Sequence, residues 1–246
     1  TLFVVGEINM LSKRIKAVHP SPTLAISAKA KAMKAAGENV ISLSAGEPDF
    51  ATPAHISMAA IKALSCGDTR YGPAAGKSDL RAAIAKYLGT RLKTDVDPAE
   101  VIVGVGGKYI LFEAISSLVE AGSEVLLPAP YWVSFPDMVI FSEATYIPIP
   151  SSLEENFIPA LEEVEKRITD KTNLFILNSP HNPTGTVLPA GYLRELAALL
   201  EKHPDIFIIS DETYERLLYD DLRPTSLLQV APQLKDRILI VGSFSK

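Results

Sequence analysis

From residue 100 to the end of the chain, short apolar runs alternate with stretches of helical character. "EVIVGVG", "EVLLPAP", "TYIPIP", "TNLFILNSP", "IFIISDE" and "RILIVGS" read as strands. "KYILFEAISSLVE", "YWVSFPDMVIFS", "ALEEVEKRI" and "PAGYLRELAALLEKH" between them read as helices. Several of the strands are almost unbroken apolar runs, as expected where helices cover both faces of a sheet. This alternation dictates an α/β fold, a mostly parallel sheet sandwiched by helices. Such a fold needs a large apolar supply, and 47 % of the 246 residues are hydrophobic against 22 % charged.

The earlier part reads differently. "TLAISAKAKAMKAAG" (residues 23–37) is an Ala/Lys-rich helix closed by Gly37. "NVISLSAGEPDF" is a short strand running into a turn, in which Glu47 and Asp49 are turn formers. A second helix starts near "TPAHISMAAIKAL", with Thr52 as N-cap and Pro53 at the first helical position. "KSDLRAAIAKYLGTRL" is a third. Repeats and low-complexity linkers are absent from the sequence.

Net charge is −5, from 24 basic and 29 acidic residues, with no basic tract that would suit nucleic acid or a membrane surface. The single cysteine, Cys66, excludes an internal disulfide framework and reads as a small buried hydrophobe in a reducing, cytoplasmic compartment. "TLFVVGEINML" lacks a basic start and a cleavage site, so it is not read as a signal peptide. A chain that opens on Thr1 and stops at Lys246 is expected to be a partial sequence. The histidines, His19, His55, His181 and His203, have no metal-ligand spacing.

In an open α/β sheet, ligands bind beyond the carboxyl ends of the strands. The residues there are informative. "NLFILNSP" leads to His181 and Asn182; "IFIIS" leads to Asp211 and Tyr214; "ILIVGSFS" leads to Ser243 and Lys246. "VIVGVG" leads to Gly106, Gly107 and Lys108 at a helix start, and "EVLLPAP" to Tyr131 and Trp132. Together they suit a flat, phosphorylated, electron-poor ring that reacts with an amine, and pyridoxal phosphate is such a ring. A lysine can form a Schiff base with its aldehyde. An aspartate can keep the ring nitrogen protonated, because an opposite charge favours the charged form. An amide and a phenol can bond the phenolic oxygen, a helix N-terminus can receive the phosphate, and an indole can stack on the ring.

Taken singly, these residues have plainer readings. A terminal lysine is usually a solvated charge, Asp211 could be a helix N-cap, and "NPTG" is a turn whose Asn182–Pro183 bond could be cis. Trp132 alone reads as core and Tyr71 as a turn aromatic. Tyr87 and Tyr219 have only the core reading, and His181 a supporting or exposed one. "VGVGG" is a weak phosphate signal, since Tyr109 stands where a dinucleotide fingerprint needs its third glycine.

Seven blocks carry a further resemblance: "SAGEPDF", "TRYGPAAGKSDLR", "VGGK", "PAPYWVSFPDM", "NSPHNPTGTV", "SDETYERLLYD" and "GSFSK". In this order they resemble the signatures of class I and II aminotransferases of pyridoxal-phosphate fold type I, and more narrowly the bacterial aspartate aminotransferase branch. The resemblance implies that Lys246 carries the cofactor's Schiff base, Asp211 pairs with the pyridinium nitrogen, and Asn182 and Tyr214 bond the phenolic oxygen. It implies phosphate contacts from Gly106, Gly107, Lys108 and Ser243, and from Tyr71 of a neighbouring subunit in a homodimer. Trp132 would stack on the ring, while Gly46, Trp132 and Asn182 would help seat the substrate. Residues 1–52 would form an N-terminal arm and part of a small domain, and 53–246 the large cofactor-binding domain. The implied activity moves an amino group from an L-amino acid, foremost aspartate, to a 2-oxo acid such as 2-oxoglutarate.

The same residues fit other functions. These are an aromatic, prephenate or kynurenine aminotransferase, a β-lyase, the ligand-sensing domain of a transcription regulator, or an inactive fragment. The regulators attach a helix-turn-helix module ahead of this fold, whereas only a short, non-basic segment precedes the matched region here. The family's carboxylate-clamping arginine lies beyond the Schiff-base lysine, so residues 1–246 alone are expected to have little activity.

Overall fold

The structure, a computed structural model, describes residues 11–44 and 46–246. The expectation about a signal peptide therefore falls almost wholly outside the described residues. Four helices come first: α1 (Lys13–Ala17), α2 (Pro22–Ala35), α3 (Ala54–Ser65) and α4 (Ser78–Leu92). Alternation then follows as α5 (Gly107–Leu118), β1 (Glu124–Pro128), α6 (Ser134–Phe141), β2 (Thr145–Ile149), α7 (Leu161–Glu165) and β3 (Thr172–Asn178). It continues as α8 (Ala190–Glu201), β4 (Phe207–Asp211), α9 (Leu227–Val230) and β5 (Ile238–Val241).

The strands form one sheet in the order β2-β1-β3-β4-β5. Every pairing among them is parallel. The apolar runs explain this. Leu174 and Ile176 of β3 face one core, with Val125, Ile209, Leu111 and Ile115 of α5, and Phe135 of α6. Phe175 and Leu177, on the other face, pack with Leu126, Ile208 and the α8 stripe Leu193, Leu196 and Leu200. Side chains alternate across a strand, so a run that is apolar throughout needs helices on both sides. Burying each large core side chain contributes about 1.5–3 kcal/mol.

Two expected strands do not form. Residues 101–105 are extended, but their only ladder-like bond runs from Val103 N–H to the Ala75 carbonyl (3.0 Å). Ile102 and Val105 stay largely exposed. Residues 39–44 also lack strand pairing, with Ile41 and Leu43 exposed. A strand exists only when a neighbour completes its hydrogen bonds, and no described segment lies beside either run to do so.

Other expectations shift. Pro53, not Thr52, is the N-cap of α3, because its extended backbone leads straight into Ala54. Cys66 is exposed rather than buried, since it caps the solvent-facing end of α3. Tyr219 is exposed, and Tyr87 lies at the surface with its hydroxyl donating to a Glu215 carboxylate oxygen at 2.6 Å, so neither is core. Gly37 closes α2 as expected, in the left-handed region at φ +85°. The Asn182–Pro183 bond is cis, as are Ala129–Pro130 and Ser179–Pro180. No described helix is long and apolar enough to cross a membrane.

Candidate active site

Three strands end side by side, with Asn178 of β3 in register with Asp211 of β4, and Asp211 with Val241 of β5. Beyond these ends the polar residues gather. Asn178 is buried and organises the group: its amide donates to the Asp211 carbonyl at 3.0 Å, and its side-chain oxygen accepts from Asn182 N–H at 2.8 Å. Asn182 in turn donates from Nδ2 to the Tyr214 hydroxyl oxygen at 3.2 Å. Two strand ends are thereby tied through one side chain.

Asp211 is only 5 % exposed. Its Oδ1 accepts from Thr213 N–H at 3.1 Å. Burial pushes its pKa above the ordinary value, with the neighbouring Glu212 charge pushing the same way and the Thr213 bonds only partly opposing. Among the described residues no Lys, Arg or His contributes to its stabilisation. A buried carboxyl placed so is suited to a cationic N–H arriving from a ligand. Burial also raises the Tyr214 pKa, against the Asn182 bond.

After β5, Ser245 N–H and Ser243 Oγ close a small turn at 3.2 Å that leads to Lys246. The Lys246 ammonium lies 5.9 Å from the Tyr214 ring centroid and donates to the Gly46 carbonyl. On the other flank, Gly106 caps α5 at φ +113°, a conformation that favours glycine. A Cβ added at Gly107 would stand 3.7 Å from both Ser243 Cβ and Thr213 Oγ1, so the α5 N-terminus abuts the β4 and β5 ends. Lys108 Nζ sits 4.9 Å over the Trp132 ring, which meets Phe135 edge-on at 5.3 Å. His181 bonds Thr184 Oγ1 through Nδ1 at 2.7 Å, and burial lowers its pKa.

The sheet thus brings together Asn182, Asp211 and Tyr214, with Lys246 and Gly46 against Tyr214 and with Gly107 against Ser243. Lys108 and Trp132 form a second pair, joined to this group through Gly107, the residue before Lys108. Tyr71 is not brought to any of them; its side chain is fully exposed. Residue-by-residue reading passed over Asn178 and Thr213. Asn178 carried a usable signal, because it is the first polar residue to end the run "NLFIL".

The profile of the family described as aminotransferase class I and II matches residues 38–246. The chain belongs to the aminotransferase class I and II family. Within it, an aspartate/prephenate aminotransferase of Nitrosomonas europaea is 42 % identical over 236 residues, 96 % of this chain and 59 % of that protein. A Petunia hybrida protein named bifunctional aspartate aminotransferase and glutamate/aspartate-prephenate aminotransferase is also 42 % identical, over 96 % of this chain and 49 % of its own length. Among solved structures, aspartate aminotransferase from Thermus thermophilus with maleate superposes with a TM-score of 0.91 at 41 % identity, over 97 % of this chain and 61 % of that one. The chain therefore spans about three-fifths or less of the length of these class I and II relatives.

Proposed function

We propose that the full-length protein is a pyridoxal-phosphate-dependent aminotransferase that moves an amino group from an L-amino acid, foremost aspartate, to a 2-oxo acid such as 2-oxoglutarate. The observation that carries this reading is Asp211: a buried carboxyl at a strand end, without a cationic partner among the described residues, in the group that includes Tyr214 and Lys246. The family is generally pyridoxal-phosphate dependent, which agrees with that donor set.

The residues fit the cofactor as follows. Asp211 would hold the ring N–H. Asn182 and Tyr214 would bond the phenolic oxygen. The α5 N-terminus at Gly106, Gly107 and Lys108, together with Ser243, would receive the phosphate, since backbone N–H groups and the helix dipole favour an anion there. Trp132 would stack on the ring. Bound there, the cofactor supplies a reactive aldehyde and an electron-withdrawing pyridine. Lys246 Nζ would take up the proton released from the substrate Cα and hand it on to the carbon that carried the aldehyde, with Tyr214 beside it. Gly46, Trp132 and Asn182 contribute to seating the substrate.

Two further assignments belong to the same reading. Residues 53–246 act as the large cofactor-binding domain, with 1–52 as an arm and part of a smaller one. The working form is a homodimer in which Tyr71 serves the partner's cofactor phosphate; its full exposure in the single chain is compatible with that. The relatives' names favour prephenate as a second 2-oxo acid acceptor.

The test uses the full-length protein. Wild type with added pyridoxal phosphate is expected to gain visible absorbance that survives gel filtration, and to transaminate aspartate with 2-oxoglutarate. Lys246→Ala should lose both signals. Survival of both in that variant would remove the lysine from its role.

A further inference from the structure

The turn after β4 faces two ways. Asp211 and Tyr214 belong to the candidate site, while the residue after each of them, Glu212 and Glu215, is gripped by α4. Glu212 is only 4 % exposed. Its Oε2 accepts from Arg91 Nη1 at 2.6 Å. Its Oε1 accepts from Ser210 Oγ at 2.9 Å and Ser226 Oγ at 2.6 Å. Glu215 pairs with the same Arg91 Nη1 and accepts from the Tyr87 hydroxyl at 2.6 Å. Tyr87 and Arg91 lie one helical turn apart, on the same face of α4. Arg216 closes the far side, its guanidinium 5.1 Å from the Tyr87 ring centroid. Arg91 is also tied to α9, its carbonyl accepting from Gln229 Nε2 at 3.3 Å.

One guanidinium thus serves two carboxylates, both on the turn after β4 that carries the site. Breaking a buried ion pair from one side leaves an uncompensated charge, which is far costlier than losing a surface pair. Without Arg91, the buried Glu212 carboxylate would lose its cationic partner, and any rearrangement towards solvent would carry its neighbours Asp211 and Thr213 with it.

We propose that Arg91 is a positioning residue for the candidate active site: by holding Glu212 and Glu215 from α4, it sets the turn that presents Asp211 and Tyr214. The proposal rests on the pyridoxal-phosphate reading for its consequence, though not for its geometry. Arg91 does not touch the site itself; it acts through the two glutamates.

The experiment compares full-length wild type with Arg91→Met, Arg91→Lys and Tyr87→Phe by two readouts. One is the pH midpoint of the visible absorbance of added pyridoxal phosphate, which reports the contacts of Asp211 and Tyr214. The other is hydrogen exchange of the Thr213 amide, the donor to Asp211, in protein free of cofactor. Arg91→Met is expected to move the midpoint by about one unit and to speed Thr213 exchange by about tenfold. Arg91→Lys should restore part of both, and Tyr87→Phe should shift both in the same direction by less. A lower melting temperature with wild-type midpoint and exchange would mean that Arg91 only stabilises the fold, and would overturn the proposal. If Arg91→Met does not fold, the other two variants decide: a shift in either supports positioning, and wild-type behaviour in both overturns it. Should wild type itself give no absorbance, the aminotransferase reading fails separately, and Thr213 exchange alone judges the positioning role.

Discussion

Burial works against the charge on Asp211, and that has a measurable sign. Its folded pKa is raised above the ordinary 3.8, so its contribution to stability is fully present below 3.8 and is lost as pH rises through the folded value. Asp211→Asn should therefore melt higher than wild type near neutral pH without cofactor, by about 2–4 °C per kcal/mol recovered. The advantage should vanish below pH 3.8. In the full-length protein the same variant should lose about 10²–10⁴-fold in turnover. A thermal scan at the two pH values and a rate assay check both halves. His181 has the opposite dependence. Its pKa is lowered from 6.5, so the stability it contributes is present above 6.5 and is lost as pH falls through the folded value. His181→Gln should flatten the fall in melting temperature across that acid window.

At the scale of elements, the glycine turn before α4 makes a specific demand. Gly76 has φ +101°, and a Cβ there would lie 2.8 Å from Val103 Cβ. Gly76→Ala should cost about 1–3 kcal/mol through strain and overpacking, read as a lower urea midpoint with unchanged slope. The same region shows where sequence reading stops. The runs that became β1, β3 and β4 were legible because they are apolar on both faces and helices bury both, while the edge strands β2 and β5 stay partly open. "VIVGV" is as apolar, yet it pairs with no strand, since composition does not reveal whether a neighbour is present. Asn182, Asp211, Tyr214 and Lys246 were legible because each follows an apolar run at the end where parallel sheets bind ligands. Arg91 was not, because its partners lie 121 and 124 residues away in sequence and nothing local marks the pairing. Cys66 and Tyr219 were misjudged by residue type alone; their exposure depends on which face of the fold is covered.

For the molecule as a whole, the apolar surface is unevenly distributed. The side chains of the two cores around the sheet are buried, but α3 has no buried residue, and Leu43, Phe50 and Tyr71 stand open to solvent. Large exposed apolar areas mark surfaces that associate. With the proposed homodimer, full-length Lys246→Ala and Tyr71→Ala proteins should complement when mixed and reassembled. Heterodimers would hold one site with both groups intact, so roughly a quarter of wild-type sites should recover. Turnover that stays at the level of the separate variants would argue against a shared site.

The strand order has one more consequence, for the newborn chain. β1 emerges from the ribosome first, β2 docks on one side of it, and β3, β4 and β5 are then laid in turn along the other. Each arriving strand finds its neighbour already in place, so growth can proceed outward without waiting for a distant partner. The acid end is therefore assembled while the polypeptide is still lengthening, before the amine at position 246 reaches it.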